Sequence, residues 1–196
     1  MRKVKKFKLT SEFIVDISGV KLFRIKALIE FGNVKAGDLG GYIEKEENLS
    51  HMGNAWVSGN AQVSGDARVS GNARVSGNAR VFGDARVSGN ARVFGDAQVF
   101  GDARVSGNAQ VFGDARVSGD ARVSGDKDYA YAHGFGSCNR TTTFFRLKDG
   151  DVGVRCGCFY GTLAQFRDNV CETHGETKKA QEYLMLADLM DFRFKN

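Results

Sequence analysis

The residues of this chain that are best suited to binding form four Asp-Ala-Arg triplets at a constant spacing of eighteen residues. A guanidinium group binds a phosphate or a carboxylate through two parallel hydrogen bonds, so a row of arginines is suited to an anionic partner. Each arginine also follows an aspartate by two residues, so the chain itself can neutralise the row. The arginines are Arg68, Arg86, Arg104 and Arg122, and the aspartates are Asp66, Asp84, Asp102 and Asp120.

These triplets leave two interpretations open. In the first, the Asp and Arg side chains pair within and between neighbouring repeats, and exposed pairs contribute about 0–1 kcal/mol each. In the second, the arginines form a ladder that binds phosphates or a carboxylate-rich partner. We favour self-pairing, because every arginine of the set has its aspartate close by, and we keep all eight residues as candidate ligand or partner contacts.

A six-residue repeat positions the triplets. Glycine occupies every sixth position from Gly53 to Gly125, Asn or Asp follows it, and Ala and Val lie two positions apart. In an extended strand Ala and Val point to one side and the residue between them to the other. The Gly-Asn or Gly-Asp pair tolerates positive φ and makes a corner. A short fixed period predicts a β-solenoid, since one hexad cannot bury its own Ala/Val edge.

The eighteen-residue recurrence within the hexads predicts the shape of the coil. Every third hexad reads GDARVS, whereas the other two registers vary. A repeat of three hexads is what a three-sided coil requires, so the triplets should lie above one another on one face. Neighbouring coils would be about 4.8 Å apart, and four coils would make a prism about 20 Å tall.

The Val-x-Gly-(Asn/Asp)-Ala-x pattern resembles the hexapeptide repeat of left-handed parallel β-helix proteins, which are best known among acyltransferases. The resemblance implies a left-handed coil. The pattern departs from that family after the aliphatic residue, where this chain has Ser or Phe in place of Gly, Ala or an acid. The flanking segments at residues 36–44 and 156–163 resemble those of small bacterial and prophage proteins, and this resemblance implies a fold but no activity.

The chain divides into an N-terminal β cap at residues 1–52, the solenoid at 53–128 and an α+β cap at 129–196. Caps are expected because an open solenoid end exposes unpaired backbone groups. Trp56, at an outward position of the first hexad, is expected to fix the N-terminal cap to the coil. A hairpin around Ser18-Gly19 would pair Asp16 with Lys21 and Val15 with Leu22.

The C-terminal cap contains a second hairpin and two helices. Asp149-Gly150 is a strong turn signal, and pairing across it would join Leu147 to Val152, Phe145 to Val154 and Thr143 to Cys156. Thr162 and Gln165 form a capping box that begins one helix, and Gly175 should end it. A second helix is predicted at residues 178–192.

Four phenylalanines mark the corners of one face. Phe82 and Phe100 are eighteen residues apart, and so are Phe94 and Phe112. If these rings point outward, they form a patch too apolar to stay wet, and the C-terminal segment or another copy of the chain should cover it. The resemblance to hexapeptide-repeat proteins implies a homo-oligomer, with a trimer favoured.

The net charge of +5 comes from one short segment. Residues 1–8 carry five basic side chains and no acid, whereas the repeats hold eight Arg and Lys127 against eight Asp. The N-terminal segment is either solvated or bound to an anionic partner, so nucleic acid is a candidate that we do not favour. No apolar run is long enough to span a membrane, and no hydrophobic signal region follows the basic start, so we expect a cytoplasmic protein.

The repeats lack the residues of acid–base chemistry. No His, Cys or Glu occurs between Gly53 and Asp126, and the best general base is His51 beside the first coil. Cys156 and Cys158, with Cys138, Cys171 and His174 as further ligands, make a weak metal candidate, because zinc sites prefer wider cysteine spacing. We therefore expect no catalytic residue, metal or cofactor.

The sequence favours a non-catalytic solenoid that binds a protein partner or a small anionic ligand, and the prophage resemblance suggests interference with a host process. Two alternatives stay open, namely an acyltransferase-like enzyme with a site between subunits, and a nucleic-acid binder that uses the N-terminus and the arginine faces.

Overall fold

The computed structural model describes residues 4–136 and 140–195, in which a three-sided parallel β-solenoid lies between two caps. Each hexad contributes one two-residue strand. Face 1 contains β4, β7, β10 and β13, face 2 contains β5, β8, β11 and β14, and face 3 contains β6, β9, β12 and β15. The strands are β4 Trp56–Val57, β5 Gln62–Val63, β6 Arg68–Val69, β7 Arg74–Val75, β8 Arg80–Val81, β9 Arg86–Val87, β10 Arg92–Val93, β11 Gln98–Val99, β12 Arg104–Val105, β13 Gln110–Val111, β14 Arg116–Val117 and β15 Arg122–Val123.

The interior consists of the alanine and valine of each hexad. From Ala55 to Val123 these side chains are at most 1% exposed. The corners depend on glycine: at Gly89, for example, φ is +66°, and an added Cβ would lie 2.9 Å from the backbone nitrogen of Gly107. The mainly β, three-sided parallel solenoid predicted from the repeat is therefore confirmed.

Two of the three backbone hydrogen bonds that join each pair of stacked strands run from one coil to the next. The N–H groups of the residue between Ala and Val and of the residue after Val donate forward, as from Arg68 to Ala85 (2.9 Å) and from Ser70 to Val87 (3.0 Å). The parallel register places the third bond in the opposite direction, from the Val87 N–H to the Arg68 carbonyl. The first coil therefore presents mainly carbonyl groups without partners inside the solenoid, and the last coil mainly N–H groups. Buried backbone groups of either kind need partners, so one cap must supply mainly donors and the other mainly acceptors.

On face 2 the N-terminal cap supplies its donors from a strand. Strands β1 Phe7–Val15, β2 Lys21–Ala27 and β3 Leu39–Ile43 form an antiparallel sheet, and β3 continues face 2 by pairing in parallel with β5. The N–H of Tyr42 donates to Ala61 (2.9 Å) and that of Glu44 to Val63 (3.0 Å).

On the other two faces buried side chains act as donors. The Asn48 amide donates to the carbonyls of Gly65 (3.0 Å) and Ala67 (2.9 Å) under face 3. The Lys6 ammonium donates to Ala55 (2.8 Å) and more weakly to Gly53 (3.3 Å) under face 1. Both side chains are at most 1% exposed. Burial lowers the pKa of Lys6 from its ordinary 10.5 to about 8.

Trp56 joins the N-terminal cap to face 1, as predicted. It is 4% exposed, and its ring meets that of Phe31 edge-on with centroids 5.4 Å apart. Gly40 makes this contact close, since a Cβ there would lie 2.7 Å from a Trp56 ring atom and 2.6 Å from the Val57 carbonyl oxygen.

The C-terminal cap supplies the acceptors. Strands β16 Tyr129–Phe135, β17 Arg140–Arg146, β18 Val152–Cys156 and β19 Phe159–Thr162 form an antiparallel sheet in that order. Oxygen atoms of side chains in and beside this sheet accept from the last coil. The backbone N–H of Gln110 donates to the Asp126 carboxylate (3.0 Å), that of Phe112 to the Tyr129 hydroxyl (3.4 Å) and that of Arg116 to the Thr143 hydroxyl (2.9 Å).

The outer side of this sheet packs on two helices. Helix α1 covers Leu163–His174 and helix α2 covers Lys178–Phe194. The capping box of Thr162 and Gln165 forms as predicted, and Gly175 ends α1 with φ of +56°. No helix in the described part of the chain is long and apolar enough to cross a bilayer.

Both hairpin registers predicted from the sequence are wrong by one residue. In the first hairpin Val15 pairs with Lys21 and Ile14 with Leu22, because residues 16–20 form the loop and the Asp16 carboxylate accepts from the N–H groups of Ser18 and Val20.

In the second hairpin Phe145 pairs with Gly153 and Phe144 with Val154. A shift by one residue exchanges the two faces of a strand. Phe145 therefore packs in the solenoid core, whereas Phe144 packs with Val154 against the helices. Leu147, expected opposite Val152, instead forms a bridge with Ala121 in the last coil.

We predict that Asn48→Ala lowers the free energy of unfolding by about 2–3 kcal/mol, because two buried carbonyls lose their donor. The control is Asn60→Ala, which removes an exposed amide bonded to Asn78 (3.3 Å) and should change stability by less than about 0.5 kcal/mol. Urea unfolding measures both values, and equal losses would contradict the capping role of Asn48.

We predict that Lys6 makes stability rise with pH between about 8 and 10.5, because the unfolded chain binds the proton more tightly than the folded one in that interval. Lys6→Met removes this pH-dependent contribution to the free energy of unfolding. The free energy of unfolding of the parent, relative to that of the variant, should therefore increase by up to about 3 kcal/mol from pH 7 to pH 10.5. Lys8→Met changes an exposed residue, so the difference in stability between it and the parent should stay constant with pH. If the stability of the parent and that of Lys6→Met changed equally with pH, the proposed burial of the Lys6 ammonium would be refuted.

Candidate anion-binding groove on face 3

A groove of about 1170 Å³ runs along face 3 and under the N-terminal cap. We call it the face-3 groove. It is lined by arginines and serines of successive coils at one end and by cap residues at the other. The lining residues are Val4, Ile29, Glu46, Glu47, Leu49, Ser50, His51, Met52, Arg68, Val69, Ser70, Arg86, Ser88, Arg104 and Ser106.

Three arginines line the groove in one column. Arg68, Arg86 and Arg104 are exposed and are direct neighbours in the parallel register of face 3. Within residues 4–136 and 140–195, none of the three has a carboxylate within ion-pair distance. The groove therefore presents one unpaired guanidinium group per coil.

Among the described residues, no aspartate of face 3 lies within ion-pair distance of an arginine, contrary to the Asp–Arg pairing that we favoured from the sequence. The arginines line the groove with Ser70, Ser88 and Ser106, and the four aspartates are not among its lining residues. Asp66 binds Lys45 of the cap instead (2.8 Å), and this hydrogen bond lowers the pKa of the Asp66 carboxyl. In the described chain Asp84, Asp102 and Asp120 form no ion pair.

The fourth arginine of the set has a structural role. Arg122 is half-buried and donates to the backbone carbonyls of Ala121 (2.8 Å) and Asp102 (3.0 Å). It does not line the groove. The eight candidate residues therefore separate into three groove arginines, one backbone-bound arginine and four aspartates outside the groove.

The cap end of the groove carries acidic and apolar groups. Glu46 accepts from Lys5 (2.8 Å), and this bond lowers the pKa of the Glu46 carboxyl. Three large apolar side chains are exposed at the same end: Val4 (69%), Ile29 (39%) and Met52 (75%). The groove thus changes from apolar and acidic to basic along the solenoid axis.

His51 is placed to hold the cap and not to act as a base. Its Nδ1 accepts from the backbone N–H of Lys6 (3.2 Å), and its ring stacks on Phe7 with centroids 4.3 Å apart. Its Nε2 is buried and lies 3.6 Å from the Glu46 carboxylate. Because one nitrogen is occupied and the other is enclosed, the imidazole offers no accessible site for proton transfer.

The other two faces have fewer guanidinium groups in succession. A groove of about 650 Å³ on face 1 contains Arg74 and Arg92, but Gln110 ends the column. On face 2 arginine alternates with glutamine, as at Arg80 and Gln98. Face 3 is therefore the face with an unbroken arginine column, and the eighteen-residue spacing of the triplets was the signal that revealed it.

The phenylalanine pairs stack as the spacing predicted. The ring centroids of Phe82 and Phe100 are 4.9 Å apart, and those of Phe94 and Phe112 are 5.3 Å apart. The C-terminal cap contacts the last ring of each pair, although Phe112 remains 37% exposed. Arg155 lies over Phe100 at 5.4 Å, and Tyr129 and Tyr131 meet Phe112 edge-on.

The basic N-terminal segment is only partly available to a partner. Lys5 is bound to Glu46 and Lys6 is buried under the first coil, whereas Lys8 is exposed. Arg2 and Lys3 lie outside the described residues. The charge of this segment is therefore used in part to hold the cap.

The cysteines of the described ranges lie in the C-terminal cap. Cys156 is half-buried, and its sulfur accepts from the Thr142 hydroxyl (3.2 Å). In the ranges that the structure describes, no three His, Cys, Asp or Glu side chains are placed to hold a metal ion. Cys138, another candidate ligand, lies outside those ranges.

Comparison with known proteins relates the repeats to one family model. A model described as the YdcK beta solenoid repeat matches residues 61–75, 73–87, 85–99, 97–113 and 109–125. No curated protein matches the chain. The matched region belongs to the solenoid and leaves both caps outside it, and the acyltransferase relationship stays a prediction. The comparisons and the fold together identify a β-solenoid repeat protein.

Proposed function

We propose that this protein is a non-catalytic binding module that holds an anionic group of its partner in the face-3 groove. The observation that carries the proposal is the column of Arg68, Arg86 and Arg104, which have no carboxylate partner in the described chain. Unpaired guanidinium groups that follow one another along a groove are suited to bidentate contacts with phosphate or carboxylate.

Electrostatic repulsion within the column supports the proposal. The backbone holds the strands of neighbouring arginines about 4.8 Å apart, and two unit charges kept at that separation would repel by roughly 1 kcal/mol even in bulk water. Arg86 has such a neighbour on both sides. A bound anion replaces this repulsion with attraction, and the serine hydroxyls beside the column can donate further hydrogen bonds.

Two observations favour this function over the alternatives. His51, the best candidate base, has one nitrogen bonded to the Lys6 backbone and the other enclosed, which disfavours acyl transfer at this groove. Nucleic-acid binding through the N-terminus loses support because Lys5 is paired and Lys6 is buried. The partner's anionic group can belong to a protein or to a small molecule, as the sequence suggested.

The test compares equal charge changes on two faces. We predict that Arg86→Gln/Arg104→Gln weakens binding of inorganic triphosphate by about tenfold or more, because charged hydrogen bonds contribute about 1.5–3 kcal/mol each. Arg74→Gln/Arg92→Gln removes the same charge from face 1 and should change affinity by less than about threefold, through the long-range field alone. Calorimetry at low and moderate salt measures both.

Equal losses in the two double variants would reject the face-3 groove as the site. Triphosphate that does not bind the parent at all would reject the function. Acyl transfer from an acyl-CoA donor would instead support an enzyme, and retention of oligonucleotides with a steep salt dependence would support nucleic-acid binding.

A further inference from the structure

We infer that the occupant of the face-3 groove is an α-helical segment of a partner protein, with an acidic stripe along one side and apolar residues at one end. The inference rests on the proposed function, since it names the partner chemistry of the same site. Three features of the groove carry it, namely the spacing of the arginines, the order of charge along the axis and the size of the groove.

The spacing of the arginine column matches a helix better than a strand. Three arginines at about 4.8 Å span about 9.6 Å. Acidic side chains one helical turn apart repeat every 5.4 Å or so and span about 10.8 Å over two intervals. Alternate residues of an extended strand repeat at about 6.7 Å and span about 13.4 Å. Shared between the two end arginines, the mismatch is about 0.6 Å at each end for a helix and about 1.9 Å for a strand, so the helix demands the smaller displacement of the guanidinium groups.

The order of groups along the groove fixes the pattern of the partner. Beyond Arg68, toward the cap, the lining changes to Glu46 and Glu47 and the exposed apolar side chains of Val4, Ile29 and Met52. Glu46 is paired with Lys5, but Glu47 has no ion pair in the described chain and would repel a carboxylate of the partner, whereas an apolar side chain would bury exposed surface. The acidic stripe must therefore stop at Arg68, and apolar residues must continue the segment toward Met52.

The size of the groove agrees with a short helix. Three turns of helix about 10 Å wide and 16 Å long occupy about 1200 Å³. The groove has about 1170 Å³ and is open to solvent along its length. Its column of three arginines requires two helical intervals, so a three-turn segment spans the column and reaches the apolar end.

The test uses three peptides of identical composition and the whole protein. The first carries glutamates one turn apart on one side and two leucines at one end. The second distributes the same glutamates around the helix, and the third keeps the order of the first but contains two central D-residues that break the helix. Fluorescence anisotropy measures their affinities, and triphosphate binding is measured in parallel.

We expect the striped peptide to bind about tenfold more tightly than either isomer, because only it aligns carboxylates with all three arginines. The advantage should disappear in Arg86→Gln/Arg104→Gln and persist in Arg74→Gln/Arg92→Gln. Met52→Ser should weaken the striped peptide by about threefold or more and leave triphosphate binding unchanged, because it alters only the apolar end.

Equal affinity of the three peptides would overturn the inference, and so would tighter binding of a single-stranded oligonucleotide of the same charge. If triphosphate still binds through Arg86 and Arg104 in that case, the proposed function stands and only its helical partner is rejected. If neither triphosphate nor any peptide binds the parent, both the function and the inference fail.

Discussion

The structure depends on the uneven direction of the backbone hydrogen bonds between coils. Because most of these bonds run from one coil to the next, the first coil presents mainly acceptors and the last coil mainly donors, and the two caps must be chemically different. The N-terminal cap supplies donors through Lys6, Asn48 and strand β3. Asp126, at the end of the solenoid, and Thr143 of the C-terminal cap supply acceptors to the last coil. The buried ammonium of Lys6, an unusual core group, is explained by this requirement, since its carbonyl partners belong to the first coil.

The solenoid could be predicted in detail because one physical pattern repeats in it. Alternating Ala and Val fix the buried side of each strand, and glycine at positive φ fixes the corners. The caps contain no repeat, so local turn chemistry had to decide their registers. A longer loop forms in place of the two-residue turn expected at Asp149-Gly150, because Leu147 and Lys148 bond to the last coil. A contact that distant in sequence leaves no local signal.

Only the column of arginines in the candidate groove could be predicted from the sequence. The eighteen-residue spacing placed Arg68, Arg86 and Arg104 in a column, which the register of face 3 confirms. The sequence could not show that the aspartates stay apart from them, since that depends on side-chain directions at each corner. Nor could it show the apolar end of the groove, because Val4, Ile29 and Met52 are brought together by the fold of the cap.

The backbone hydrogen bonds between coils and the candidate groove are connected, because these bonds fix the spacing of the arginines. The arginines of face 3 cannot move apart at their backbones, because each lies in a strand whose N–H bonds the next coil at 2.9 Å. Their mutual repulsion is therefore built into the folded state and absent from the expanded unfolded chain. An anion that removes this repulsion binds only the folded protein, so occupancy of the groove must raise the stability of the solenoid. A column of this kind selects its partner by spacing as well as by charge, since the partner's acidic groups must meet arginines whose backbone spacing is fixed.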